Sequence, residues 1–378
     1  MNIDLLDVGR PRFGDALLCR SGGKTILIDG AHRQVGTPKS YDLLLSQLRS
    51  LLDAPRGPIP LDLLIVSHAH ADHIGCLPDL IQDEIVVPRW SLLTSPTDAG
   101  LDPQTIAAAE TVGFKDAYLS LREESDDGDD PVEGQASSDL PERYSGMFTK
   151  LGELGRVVRS GSESGYSELQ DSFADIGMHI LGPTPKMIEA TRGQIAVATQ
   201  TLTALRALAD DEGMSLASEK SQIRQIAWDL RSQVNMQSVV MTLDSGGGRS
   251  LFTGDCQFGM PTHAGAIAQE ADAMFDVIRS GRPYAFVKMP HHGSENGLTK
   301  PLLNELVSTG LFGISTGWSS KDHPDPDVLN ALAANHSQFE RTDQNGQVQV
   351  VLDTGKPVER TRTLGVPNDS SPPTGKRE

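Results

Sequence analysis

Cysteine is scarce in this chain of 378 residues. Cys19, Cys76 and Cys256 are the only three, too few for a disulfide framework. No apolar run approaches the ~20 residues that a membrane-crossing helix needs. The first residues, "MNIDLLDVGR", show no basic segment followed by an apolar one, so a secretory signal is not expected. These absences together predict a reducing, cytoplasmic setting. Positive charge is also in deficit. The formal net charge is −18, which argues against broad adhesion to nucleic acid or anionic membranes. Aromatic residues make up 5%, few for stacking bases.

Against this background one stretch is unusually rich. "SHAHADHIG", Ser67 to Gly75, places His68, His70, Asp72 and His73 within six positions. It follows "LDLLIV", a short apolar run suited to a strand buried on both faces. Other polar clusters also follow apolar runs. "RSLFT" precedes Asp255, "YAFVK" precedes His291 and His292, and "LFGIST" precedes His323. If these strands share a sheet, their ends can meet at one place.

Imidazole and carboxylate together are ligands for zinc, manganese or iron rather than for magnesium or calcium alone. His68 and His70 are two apart and can point the same way from an extended turn. Asp72 and His73 are adjacent and diverge, so each pair could serve its own cation. Two close cations need a bridging anion, and Asp255 in "TGDC" is the best candidate. "PHHGS" and "DHP" offer histidines for the remaining places. Gly75 is expected to permit a tight exit from the turn.

The rest of the chain reads as a single domain over 1–362 with two insertions and a disordered tail, 363–378. "IDLLDV", "DALLCR" and "KTILIDG" read as strands, and Ser40 to Leu52 as a helix. From about 91 to 175 an acidic, irregular insertion is expected. Leu121 to Glu142 holds nine acidic residues and one basic, a solvated loop. About 186–234 reads as a helical hairpin with its break at "DDEG". It could be a lid, a dimer arm or plain packing. "SVVMTLDSGGGRSLFTGD" reads as a hairpin, and "QVQVVLD" as the last strand.

"SHAHADHIG" resembles the H-x-H-x-D-H signature of the metallo-β-lactamase superfamily. "DVG…GDALL", "KTILIDG", "SVVMTL…LFTGD", "KMPHHGS", "STGW…HPDPDVL" and "RTDQNGQVQV" come in the order seen in ComEC-type metallohydrolase domains. The resemblance covers roughly residues 1 to 90 and 176 to 355. It implies an α/β fold, a four-layer αββα sandwich, with two divalent cations, zinc or manganese, at one edge. His68 and His70 would bind the first, Asp72 and His73 the second, and Asp255 would lie between them. Many relatives take a further histidine from a strand before the "GD" motif. His179 is the candidate there, though it reads better as an ordinary strand histidine. ComEC-like relatives use the "HHG" loop instead, which favours His292 over His291 as the first cation's ligand. His323 would complete the second. The first turn is longer than usual, Asp255 comes 183 positions after Asp72, and ComEC's membrane segments have no counterpart.

The expected chemistry is hydrolysis, with a water between the cations ionised near neutral pH. Asp72 would also accept a hydrogen bond from that water. His291, if not a ligand, would contact a phosphoryl oxygen or assist the leaving group. Asp29 would orient a histidine ligand from behind. Lys288, Ser294 and Lys321 are candidates for substrate contact. A phosphodiesterase or nuclease-like enzyme acting on a nucleic acid or nucleotide is the leading reading. A carboxylic ester, lactone or amide hydrolase is the alternative. A partner-binding scaffold is the third, and the hairpin could join a homo-oligomer.

Overall fold

The computed structural model describes the chain except residues 10–13, 34–38, 102–138, 213–225, 227–228, 260–264, 307–308, 319, 321–322, 355, 357 and 364–378. Its first half begins with strands β1 (Asn2–Leu5), β2 (Leu17–Ser21), β3 (Lys24–Ile28), β4 (Ile59–Ile65), β5 (Val86–Leu93) and β6 (Arg156–Arg159). Between them lie α1 (Asp42–Leu51), α2 (Ala71–Ile74), α3 (Leu77–Gln82) and α4 (Leu140–Leu154). Then follow α5 (Glu163–Ser172), β7 (His179–Gly182), α6 (Pro185–Glu212), β8 (Val240–Ser245), β9 (Gly248–Phe252) and α7 (Gly265–Ser280). The chain continues through β10 (Phe286–Lys288), α8 (Lys300–Asn304), β11 (Leu311–Ile314), α9 (Pro326–Ala334), β12 (Phe339–Arg341), β13 (Gln347–Val351) and β14 (Glu359–Thr363).

Two sheets result. The first has eight strands in the order β14-β13-β1-β2-β3-β4-β5-β6; the second has six, β12-β11-β10-β9-β8-β7. Ile3, Leu5, Ile26, Leu63 and Ile65 of the first pack against Met241, Leu243, Phe252, Phe286 and Leu311 of the second. On the outer face of the first sheet, Leu18, Leu27, Leu64 and Val66 meet Leu44, Leu48, Leu80, Tyr144 and Leu151 of the helices. On the outer face of the second, Val240, Leu251, Val287 and Phe312 meet Ile267, Phe275, Ile278 and Leu332. The four layers are those anticipated. Because helices cover one face and a sheet the other, β4 is apolar on both sides, and "LDLLIV" shows no alternation.

Two expectations need correction. The stretch 91–175 is not irregular throughout: α4, β6 and α5 occupy its second half, and β6 pairs in parallel with β5. Leu140, Tyr144, Met147 and Leu151 repeat at helical spacing and bury one face of α4, a signal masked by the adjacent acidic run. The acidic residues from 121 to 138 lie outside the described residues. "QVQVVLD" is not the last strand, since β14 pairs with β13. Its sequence "ERTRT" lacks apolar alternation because it forms the sheet's edge. The expected hairpin opens with α6, and residues 229–235 are helical too; most of the second arm, and Lys321, fall outside the described residues. Among the described residues no helix is long and apolar enough to cross a membrane.

Candidate metal centre

Strand direction gathers the candidate residues. β9, β10 and β11 are mutually parallel, so their C-terminal ends share one edge of the second sheet. Asp255 follows β9, His291 and His292 follow β10, and Ser315 follows β11. From the other sheet, β4 runs into Ser67 and the single turn of α2, which carries Asp72 and His73. The turn after β10 is bent tightly. His291 and His292 both adopt left-handed backbone angles, with φ of 49° and 50°. Such angles cost roughly 1–3 kcal/mol each and persist only where the surroundings enforce them.

Asp72 Oδ2, His73 Nε2, Asp255 Oδ2 and His292 Nε2 converge. Ligand atoms of these four buried residues all lie within 4.8 Å of one another. His73 Nε2 is 3.1 Å from Asp255 Oδ2 and 3.3 Å from Asp72 Oδ2. His292 Nε2 is 3.0 Å from Asp72 Oδ2 and 3.1 Å from Asp255 Oδ2. The second oxygens of both carboxylates, Asp72 Oδ1 and Asp255 Oδ1, are buried without a hydrogen-bond partner among the described residues. Buried carboxylates facing imidazole nitrogens in this way fit a divalent cation.

His68 and His70 lie beside this group. His68 Nε2 is 3.0 Å from His70 Nδ1, and the His68 and His73 rings are 4.1 Å apart between centroids. One assignment from the sequence changes here. His292 was expected with His68 and His70, yet it stands with Asp72 and His73. The reason is local: Ser315 O lies 2.8 Å from His292 Nδ1 and turns Nε2 toward the two aspartates. His323, expected beside the second cation, is outside the four-residue group. Its ring instead lies 5.4 Å from that of His291.

Behind the ligand atoms stands a layer of buried polar groups. Asp29, itself left-handed at φ 60°, accepts from Ser67 N and Ser67 Oγ, both at 2.7 Å. Its Oδ2 lies 2.8 Å from His73 Nδ1 and so orients that ring. Asp15 and Lys288 were not read this way from the sequence. Lys288 was a candidate for substrate contact, but its side chain is buried in an ion pair with Asp15 and lies 3.6 Å from Asp255 Oδ1. Asp15 Oδ1 is 3.5 Å from His292 Nδ1. The available signal was Asp15 itself, a carboxylate directly before the apolar strand of "GDALL".

Charge and burial compete throughout. Burial alone would raise the Asp72 and Asp255 carboxyls, yet His73 and His292 hold both well below the usual carboxylate range. Burial alone would lower His73 and His292, yet the surrounding aspartates hold both well above the usual histidine value. His68 moves the other way, pushed well down by burial and by its neighbours His73 and His70. Asp29 is raised, chiefly by burial.

The remaining candidates separate clearly. Ser294 is buried at the end of the "HHG" turn, where its N donates to His291 O at 2.7 Å. His179 is an exposed residue of β7 opposite Thr242. Gly75 has an ordinary helical φ of −47°. It is needed for space instead: a Cβ there would meet Arg33 N at 2.5 Å and Ala31 O at 2.7 Å.

Residues 9–151 match the family described as "Metallo-beta-lactamase superfamily". Among solved structures, an archaeal metallo-beta-lactamase superfamily protein from Sulfolobus tokodaii is 15% identical. That likeness covers 78% of this chain and 79% of that one, with a TM-score of 0.33. No curated protein compared with the chain matches it. The matched segment and the two packed sheets are consistent with a metallo-β-lactamase fold.

Proposed function

With residues 9–151 matching the metallo-β-lactamase superfamily, we infer that the chain is a hydrolase dependent on divalent cations and acts on phosphoester bonds. One observation carries the metal-dependent part: four buried ligand atoms from three separated segments of sequence meet within 4.8 Å. Asp72, His73, Asp255 and His292 would hold one cation. His68 and His70, beside them, would contribute to a second, with Asp255 shared between the two. Cations bound there supply Lewis acidity to a water and to the scissile group.

The chain's own part is orientation and charge. Asp29 and Ser315 O engage the Nδ1 atoms of His73 and His292, which leaves each Nε2 to face the centre. The phosphoester preference draws on the "PHHGS" loop and the resemblance it carries. The overall charge of −18 favours a small phosphoester or cyclic nucleotide over a long polymer.

The test begins with the metal content of the purified protein. Turnover of bis-p-nitrophenyl phosphate is then compared with a panel of lactones and carboxylic esters. Phosphodiester turnover that chelation abolishes and Asp255→Ala eliminates is the expected result. Turnover of lactones alone would refute the phosphoester assignment, and full activity in Asp255→Ala would refute the centre.

A further inference from the structure

Asp72 and His73 stand on α2, a helix of a single turn, Ala71–Ile74. So short a helix bonds few of its own carbonyls, and the rest must find partners elsewhere. Two find them in the backbone of the same half of the molecule. Asp15 N donates to Asp72 O at 3.2 Å, and Gly30 N donates to His73 O at 2.6 Å. The carbonyl that closes the turn, Gly75 O, is held differently. It accepts from Arg143 Nη2 at 2.9 Å. Arg143 belongs to α4, a helix of the stretch inserted between β5 and β6.

The guanidinium is fixed by carboxylates on both sides of this contact. The same Nη2 lies 3.2 Å from Asp79 Oδ1, in the helix α3 that follows the turn. Nη1 faces Asp139 Oδ1 at 3.9 Å, just before α4. One planar nitrogen can thus give one hydrogen to Gly75 O and the other to Asp79. A donor that carries charge makes the bond to the carbonyl stronger than a neutral one would. Gly75 has little freedom to shift, since even a Cβ on it would meet Arg33 N at 2.5 Å and Ala31 O at 2.7 Å. Arg143 supplies none of the four converging ligand atoms, so any effect on the centre must pass through the backbone of the turn.

We propose that Arg143 is a positioning residue for the metal centre: through Gly75 O it holds the α2 turn in the place from which Asp72 and His73 reach a cation. The proposal rests on the metal-centre reading above. It gives α4, which does not line the centre, a part in forming it.

The test is zinc affinity of the full chain, measured by competition with a chromophoric chelator, beside the melting temperature of the metal-free protein. Arg143→Met should weaken zinc binding roughly tenfold, the low end for groups that support metal ligands from behind. Arg143→Lys keeps the charge and a donor but not the fork, and should fall between Met and wild type. Leu151→Ala removes a buried side chain of the same helix without touching Gly75 O. It should lower the melting temperature yet leave zinc affinity at the wild-type level. Wild-type affinity in both Arg143 variants would overturn the proposal. So would an equal loss in Leu151→Ala, because general loosening of α4 would then account for it. A wild-type chain that takes up no zinc would remove the metal centre itself, and this proposal with it.

Discussion

Lys288 shows how burial reverses the meaning of a residue. A lysine three places before "HHG" reads as a hand for phosphate, but it is an internal cation, ion-paired to Asp15 and set close to Asp255. Burial alone would lower its pKa, yet Asp15 and Asp255 raise it, so the ammonium stays charged. Removing one partner of a buried pair leaves the other charge without compensation. Lys288→Met should therefore destabilise the metal-free protein by about 3–5 kcal/mol in urea titration. Lys288→Met combined with Asp15→Asn should recover most of that loss, because both charges then leave together. If the single variant unfolds at the wild-type midpoint, the pair is not the internal support that its geometry implies.

At the scale of elements, the two halves of the molecule meet through Gly254. This residue sits in the turn after β9 with φ of 51°. A Cβ placed on it would come within 2.9 Å of both Ser67 Cβ, at the end of β4, and Ser238 Cβ, before β8. Neither neighbour can give way easily. Ser67 holds Asp29, and Ser238 Oγ accepts from Asp255 N at 3.0 Å. Gly254→Ala should lower stability by roughly 1–3 kcal/mol through overpacking and should weaken metal binding together with it. Calorimetric melting with and without zinc checks both parts; an unchanged melting temperature would mean that the turn has room to spare. The same scale shows what could be read from the sequence. "LDLLIV", "RSLFT" and "YAFVK" announced their strands because burial on both faces leaves most of their positions apolar. His68 to His73 stood out because no core tolerates such residues without a use. Which histidine joins which pair was not readable, since it depends on Ser315 O turning the His292 ring from another strand. Arg143 and Asp15 were invisible for a similar reason: an isolated guanidinium or carboxylate has no pattern until the fold surrounds it. The structured part of 139–172 was hidden because its helical repeat begins where the acidic run ends.

For the molecule as a whole, the centre ties stability to pH and to cations with opposite signs. Without metal, His73 and His292 keep their protons well above the usual histidine value, because Asp255, joined by Asp72 at His73 and by Asp15 at His292, outweighs burial. The unfolded chain releases those protons near its ordinary value of about 6.5. Between that value and the raised folded one, the folded state binds more protons, so stability must fall as pH rises. Below about pH 6.5 this contribution is fully present. The aspartates act in the other direction: their contribution is present above their ordinary value of about 3.9 and fades as pH falls toward their depressed ones. A divalent cation takes the place of the histidine protons, so its binding releases them and strengthens with pH. Thermal melts from about pH 6 to about pH 8.5, in chelator and in excess manganese, should diverge. The chelated protein should lose stability toward the alkaline end while the gain from manganese grows. A gain that stays constant across the range would mean that cations bind elsewhere than among Asp72, His73, Asp255 and His292.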